Sequence, residues 1–179
     1  PVVANAAMHG PLMICGFFGV VIALERAVAI GRLWAYLGPL LAGVGAIALF
    51  SGAPTAAASL FLAASLVLLV ATLDIMRRQP ALFTATLVAG ASCLAIGNLL
   101  WLSGWTLYQV VPWWLSFLIL TIAGERLELS RFMPPSPTAK ALFLALLLII
   151  SIGLVAAGVR WGVVSWAAGL LGLAGWLLK

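Results

Sequence analysis

ALFTATLVAGASCLAIGNLLWL, residues 81–102, runs the length of a bilayer crossing without a single charged side chain. A helix needs about 20 mainly apolar residues to cross the hydrocarbon core. Working outward, six more runs of the same character lie at 8–30, 36–52, 56–73, 106–124, 140–158 and 162–178, bounded by charge, proline or glycine. Their length and uniform apolarity predict helices. A membrane barrel would show alternation with period two, and open strands would leave backbone groups unpaired in lipid. Of the 179 residues 65% are hydrophobic and 7% charged, whereas a soluble domain is about half apolar and a quarter charged. A water-soluble globule is excluded, and the expectation is an all-α, polytopic transmembrane bundle of about seven helices with short connections and antiparallel neighbours.

Nine Lys or Arg against four Asp or Glu give a net charge of +5. The placement of these charges speaks for membrane topology and against nucleic acid as a partner. Arg26, Arg32, Arg77, Arg78, Arg126, Arg131, Lys140 and Lys179 all follow odd-numbered runs, and Arg160 alone falls on the opposite side. Basic residues accumulate on the cytoplasmic side, so the expectation is a multi-pass protein of the bacterial inner membrane, N-terminus periplasmic and C-terminal end cytoplasmic. Trp34 and Trp176 are expected at the inner interface, and Trp101, Trp105 and Trp161 at the outer one. Cys15 and Cys93 both fall within apolar runs, which is not the spacing of a disulfide framework.

Compared with itself at an offset of 100 residues, the chain shows an echo. FFGVVIALER at 17–26 matches FLILTIAGER at 117–126 in Phe17/Phe117, Ile22/Ile122, Ala23/Ala123, Glu25/Glu125 and Arg26/Arg126, with Pro11 and Pro112 near the two helix starts. The copies lie four runs apart, and an even offset preserves direction across the membrane, so the repeat is expected to be parallel. Residues 1–102 then form a first four-helix unit and 103–179 a three-helix second one. The complete protein is expected to hold at least one more helix.

The charged pairs set a further expectation. Helices starting at Pro11 and Pro112 draw Glu25-Arg26 and Glu125-Arg126 into the inner leaflet, where a bare charge costs several kcal/mol. A parallel repeat pairs them reciprocally, Glu25 with Arg126 and Glu125 with Arg26, as a structural clasp. Interfacial snorkelling and a proton or ion relay remain the alternatives. His9, the sole histidine, shares a helical face with Met13 and Gly16, and imidazole with thioether is a donor set that haem iron and Cu(I) accept. An ordinary interfacial imidazole and a proton-handling group are the competing readings. Asn5, Asn98, Tyr108 and Gln109 are expected at the same outer level as His9, as a polar cluster shared by the first, fourth and fifth runs, with plain interhelical hydrogen bonding as the alternative. Gly169, Gly172 and Gly175 form a small-residue stripe suited to close helix approach. No P-loop, GxGxxG, HExxH, CxxC or nucleophile elbow is present in the sequence, so no soluble-enzyme chemistry is readable.

HGPLMICGFFGVVIALERAVAIGRLWA at 9–35, with its echo IAGERLELSRF at 122–132, resembles the front half of bacterial polytopic membrane proteins related to the NnrS group. The resemblance implies an association with haem or copper and with nitric-oxide or respiratory metabolism. It marks His9 as a metal ligand and leaves the other histidine-bearing helices of that group without a counterpart here. Three functions stay open: a haem- or copper-associated membrane protein using His9 and Met13, a non-catalytic accessory subunit packing against other membrane subunits, and a small-molecule transporter.

Overall fold

A computed structural model describes residues 8–130, 136–156 and 160–177. These form seven helices and no strand among the described residues: α1 (His9–Ile30), α2 (Leu33–Phe50), α3 (Pro54–Arg78), α4 (Leu82–Leu102), α5 (Leu107–Leu129), α6 (Pro137–Val155) and α7 (Arg160–Leu177). The first six are long and apolar enough to cross a membrane, as a multi-pass membrane protein requires. The seventh carries a shorter apolar stretch, Trp161–Trp176.

Helix ends follow local chemistry. Gly31 terminates α1 in the left-handed conformation, φ 66°, and its N–H bonds the Ala27 carbonyl; a side chain there would crowd the backbone. Pro54 opens α3, where its missing N–H removes no helical bond. That helix runs on to Arg78, five residues past its apolar stretch, and Arg78 pairs with Asp74 one turn back at 2.5 Å. The start of α5 agrees with the 106–124 run rather than with a start at Pro112. It lies at Leu107, ahead of Pro112, because the Gln109 side chain turns back to accept from both the Thr106 N–H and the Thr106 hydroxyl. The Thr-x-x-Gln cap nucleates the helix before proline is reached, and Pro112 sits inside it. Within α1, Leu12–Phe18 is wound as a π-helix between two α-helical segments.

Packing between helices in lipid rests on close contact, since lipid tails are as apolar as Leu. Glycine supplies that contact between α4 and α5. A Cβ on Gly97 would stand 2.7 Å from the Trp114 ring, and one on Gly124 would stand 2.6 Å from Leu87. A Cβ on Gly90 would stand 3.2 Å from the Phe117 carbonyl and 3.3 Å from Leu120. Helices α2 and α3, α3 and α4, and α6 and α7 also pack along their lengths, and α1 lies against α2 and α3. Gly169 and Gly172 of the expected stripe face Ile150 and Leu146 of α6, and Gly175 faces open space. The α6–α7 hairpin meets α5 sparsely, with Trp166 donating its indole N–H to Ser116 at 2.8 Å.

Tryptophans fall into two groups. Trp105 and Trp161 are exposed. Trp101 packs inward between Phe61 and Trp114, edge-on to the latter at 5.5 Å, and Trp176 lies on Phe143 with its N–H on the Ala139 carbonyl.

Candidate functional site

Two polar assemblies lie inside the bundle, and one of them was not legible from residue types. Asn98, near the end of α4, is fully buried. Its Oδ1 accepts from the Trp114 indole N–H at 3.0 Å and from the Cys15 thiol at 3.2 Å, and its Nδ2 donates to the Phe61 carbonyl at 3.0 Å. One amide therefore ties α4 to α5, α1 and α3. An amide has two donors and an acceptor oxygen with two lone pairs, so both lone pairs and one N–H are used. The π-helical stretch of α1 carries Cys15 and the buried Gly16, whose Cβ position would stand 3.2 Å from Ala46.

Arg26 centres the second assembly. Among the described residues it is the one buried charged side chain, 5% exposed. Its guanidinium donates to Glu125 of α5 and, at 3.3 Å, to Glu25 of its own helix. The structure thus brings together Arg26 and Glu125, residues 99 positions apart in the chain. Glu25 turns partly outward, its side chain 52% exposed, and Arg126 is exposed on α5. A buried guanidinium between two carboxylates is a charge held at its lowest local cost, because the carboxylates replace the water it gives up.

His9 and Met13 are both exposed, on α1. They share a face of α1, as their spacing requires, and that face is turned away from the bundle interior. The inward positions of that stretch go to Ile14, Cys15 and Gly16, whose contacts with α2 and α4 fix the rotation of the helix. Of the residues expected at the outer level, Asn98 takes the alternative reading, interhelical hydrogen bonding. Asn98 is spent on the buried ties above, Gln109 caps α5, and Tyr108 is exposed. Asn5 lies outside the described residues. Among the described residues no group of three or more His, Cys, Asp or Glu is placed to hold a metal ion.

A cavity of about 310 Å³ opens between α4, α5 and α6. Its wall is mostly apolar, including Trp113, Leu120 and Ile150, with Ser92, Cys93 and Ser151 as the polar and thiol members. It forms where the α6–α7 hairpin leans on α5 with few contacts.

The architecture defines a class: an all-helical, multi-pass bundle in which Asn98 and Arg26 are buried ties between helices. Within that class the chain belongs to the family described as "Domain of unknown function (DUF8744)", whose model matches residues 1–179. Neither the curated proteins nor the solved structures include a match.

Proposed function

We propose that this protein is a non-catalytic membrane module, a packing unit of a larger helical body in a bacterial inner membrane. Its basic end, with Arg32, Arg77, Arg78 and Lys140, faces the cytoplasm and its N-terminal end the periplasm. One observation carries the reading: among the described residues every buried side-chain nitrogen and oxygen has a hydrogen-bond partner. The polar groups that the bundle encloses are consumed internally: Asn98 and Arg26 tie α1, α3, α4 and α5 together, and the hydroxyls of Ser65, Thr72, Thr86 and Thr121 return to carbonyls of their own helices. A packing unit then acts through its outer surface, which is rich in exposed Leu, Ile, Val and Phe.

Photo-crosslinking in native membranes tests this. A photoreactive p-benzoylphenylalanine replaces Leu40 of α2 or Leu148 of α6, both exposed. Discrete protein adducts from at least one position are expected; adducts with lipid alone from both would overturn the reading.

A second reading keeps His9 and Met13 as haem or copper donors, in line with the NnrS resemblance. What supports it is spacing, since His9 and Met13 stand four residues apart on one face of α1. As two ligands of a set they fit haem iron or Cu(I), with the remaining ligands supplied from outside the described residues. An absorption spectrum and metal analysis of the intact protein beside His9→Ala decide it. A Soret band or stoichiometric copper lost in the variant supports the reading, and colourless, metal-free wild type refutes it.

A further inference from the structure

Helices α4, α5 and α6 do not close on one another along one stretch, and the cavity of about 310 Å³ lies in the gap. Its floor, with Leu120, Ile150, Leu154 and the Cys93 thiol, is buried. Its rim, at Ile96, Ser151 and Val155, is exposed, so the space opens sideways, through the surface that a membrane-spanning bundle turns toward lipid. The three walls agree in level. On α4 the lining runs from Ala89 to Ile96, on α5 from Leu120 back to Trp113, and on α6 from Leu147 to Val155. Each stretch runs from near the middle of its span toward the end that carries the α4–α5 turn. At about 1.5 Å per residue the lining is about 10 Å long, about two thirds of one leaflet's share of a hydrocarbon core about 30 Å thick.

The chemistry of the wall selects its occupant. Among the described residues no charged side chain lines the cavity, and its two hydroxyls are engaged: Ser92 donates to the Val88 carbonyl and Ser151 to the Leu147 carbonyl, each at 2.8 Å. A water molecule needs about two to four polar partners to reside inside a protein, so this wall holds water poorly. A polar ring or headgroup finds no oriented hydroxyl donor or charge here to fix it. An elongated hydrocarbon matches the apolar wall, the length along the helix axes and the opening toward lipid.

We propose that this cavity is a binding site for one acyl chain of a bilayer phospholipid, lying along the helix axes with its headgroup beyond Trp113 and Val155. The exposed Trp105 in the α4–α5 turn stands at that end, and indole rings favour the headgroup level. The chain fills the space where the α6–α7 hairpin meets α5 sparsely, and it holds the hairpin against the other helices as a wedge. All its walls belong to this chain, so the inference goes beyond the packing reading and does not depend on it.

Native mass spectrometry of the intact protein released from nanodiscs of phosphatidylethanolamine and phosphatidylglycerol tests the site. Ala89→Phe on α4 and Ser151→Phe on α6 each put a ring into the cavity, from different helices. Leu171→Phe, on an exposed position of α7 outside the lining, is the control. The wild type and the control are expected to retain a bound phospholipid, and both cavity variants to show an about fivefold lower lipid-bound fraction. A second readout needs no substitution and decides the case if the ring-bearing variants do not fold. In CHAPS, a detergent without an acyl chain, added phospholipid should slow N-ethylmaleimide labelling of Cys93 about fivefold, with Cys15, which lies outside the cavity in the Asn98 hub, unchanged. Equal lipid retention in all four proteins, or Cys93 labelling indifferent to phospholipid, overturns the proposal. A different retained molecule that both cavity variants lose, such as an isoprenoid quinone, overturns the phospholipid assignment. Failure of the packing reading is seen separately, in the crosslinks from Leu40 and Leu148.

Discussion

Trp114 hands its indole N–H to Asn98 at 3.0 Å, within a site where both side chains are fully buried. The pair joins α4 to α5 at the point where Gly97 admits the Trp114 ring. Asn98→Leu keeps the branched outline of the side chain, somewhat enlarged, and removes every polar tie, leaving the Trp114 N–H and the Cys15 thiol without their acceptor. An unsatisfied buried donor costs about 1–3 kcal/mol, and measured interhelical bonds in membranes are smaller, averaging about 0.6 kcal/mol. The expected loss is about 2 kcal/mol in a reversible detergent-unfolding titration. Asn98→Asp should cost more, because a carboxylate cannot donate to the Phe61 carbonyl and brings a charge into the bundle.

Gly97 tests the same contact by shape. In Gly97→Val the added Cβ would overlap the Trp114 ring at 2.7 Å and approach the Trp113 Cβ at 3.1 Å. An indole ring gives way less readily than the end of a flexible chain, so the helices must separate. Overpacking of this kind costs about 1–3 kcal/mol. Gly10→Ala, where nothing stands within 4 Å, is the matched control and should leave stability within about 0.5 kcal/mol. Equal effects of the two substitutions would show that α4 and α5 are not in this contact.

The Arg26–Glu125 tie is separable from burial alone by a double-mutant cycle. Arg26→Gln leaves Glu125 and Glu25 without the guanidinium, and Glu125→Gln leaves a buried guanidinium one carboxylate short. Breaking a fully buried pair costs about 3–5 kcal/mol, and because the Glu125 side chain is 37% exposed the expected single-variant loss is nearer 2 kcal/mol after solvent screening. The double variant should lose less than the sum of the singles. Strict additivity would mean that the two side chains do not interact.

These residues also mark how far the sequence could be read. Crossing helices are legible because apolar length is a one-dimensional property, and 81–102 became Leu82–Leu102 with almost no change. Arg26 and Glu125 were legible as partners because charges inside a span have few ways to be compensated and the repeat set their register. The Asn98 hub was not, since its partners are a thiol, an indole and a backbone carbonyl that look like ordinary core until four helices converge. His9 and Met13 share an α1 face as spacing requires, yet spacing is silent about which way that face turns. The rotation of α1 is decided by Cys15, Gly16 and Ala23 against α2 and α4. One signal was available and missed: TLYQ at 106–109 is a capping-box pattern, which assigns Gln109 to the helix start and removes it from any polar cluster.

Ser116 controls how firmly the last hairpin is seated. Helices α6 and α7 pack tightly on each other, with Gly153 against the Trp166 backbone, but they meet α5 sparsely. The Trp166 indole N–H to Ser116 Oγ bond, 2.8 Å long, crosses that junction, and the cavity beside Leu120 and Ile150 leaves part of it without packing. Regions with few interhelical contacts open at lower free energy than the rest of a fold. In Ser116→Ala the indole loses its acceptor, at about 1 kcal/mol, and the whole effect should fall on the α6–α7 unit. Hydrogen exchange in nanodiscs should therefore quicken about fivefold in α6 and α7, the factor corresponding to about 1 kcal/mol, with α2 to α4 unchanged. Quickening spread evenly over all helices would mean that the hairpin and the first five helices unfold as one unit.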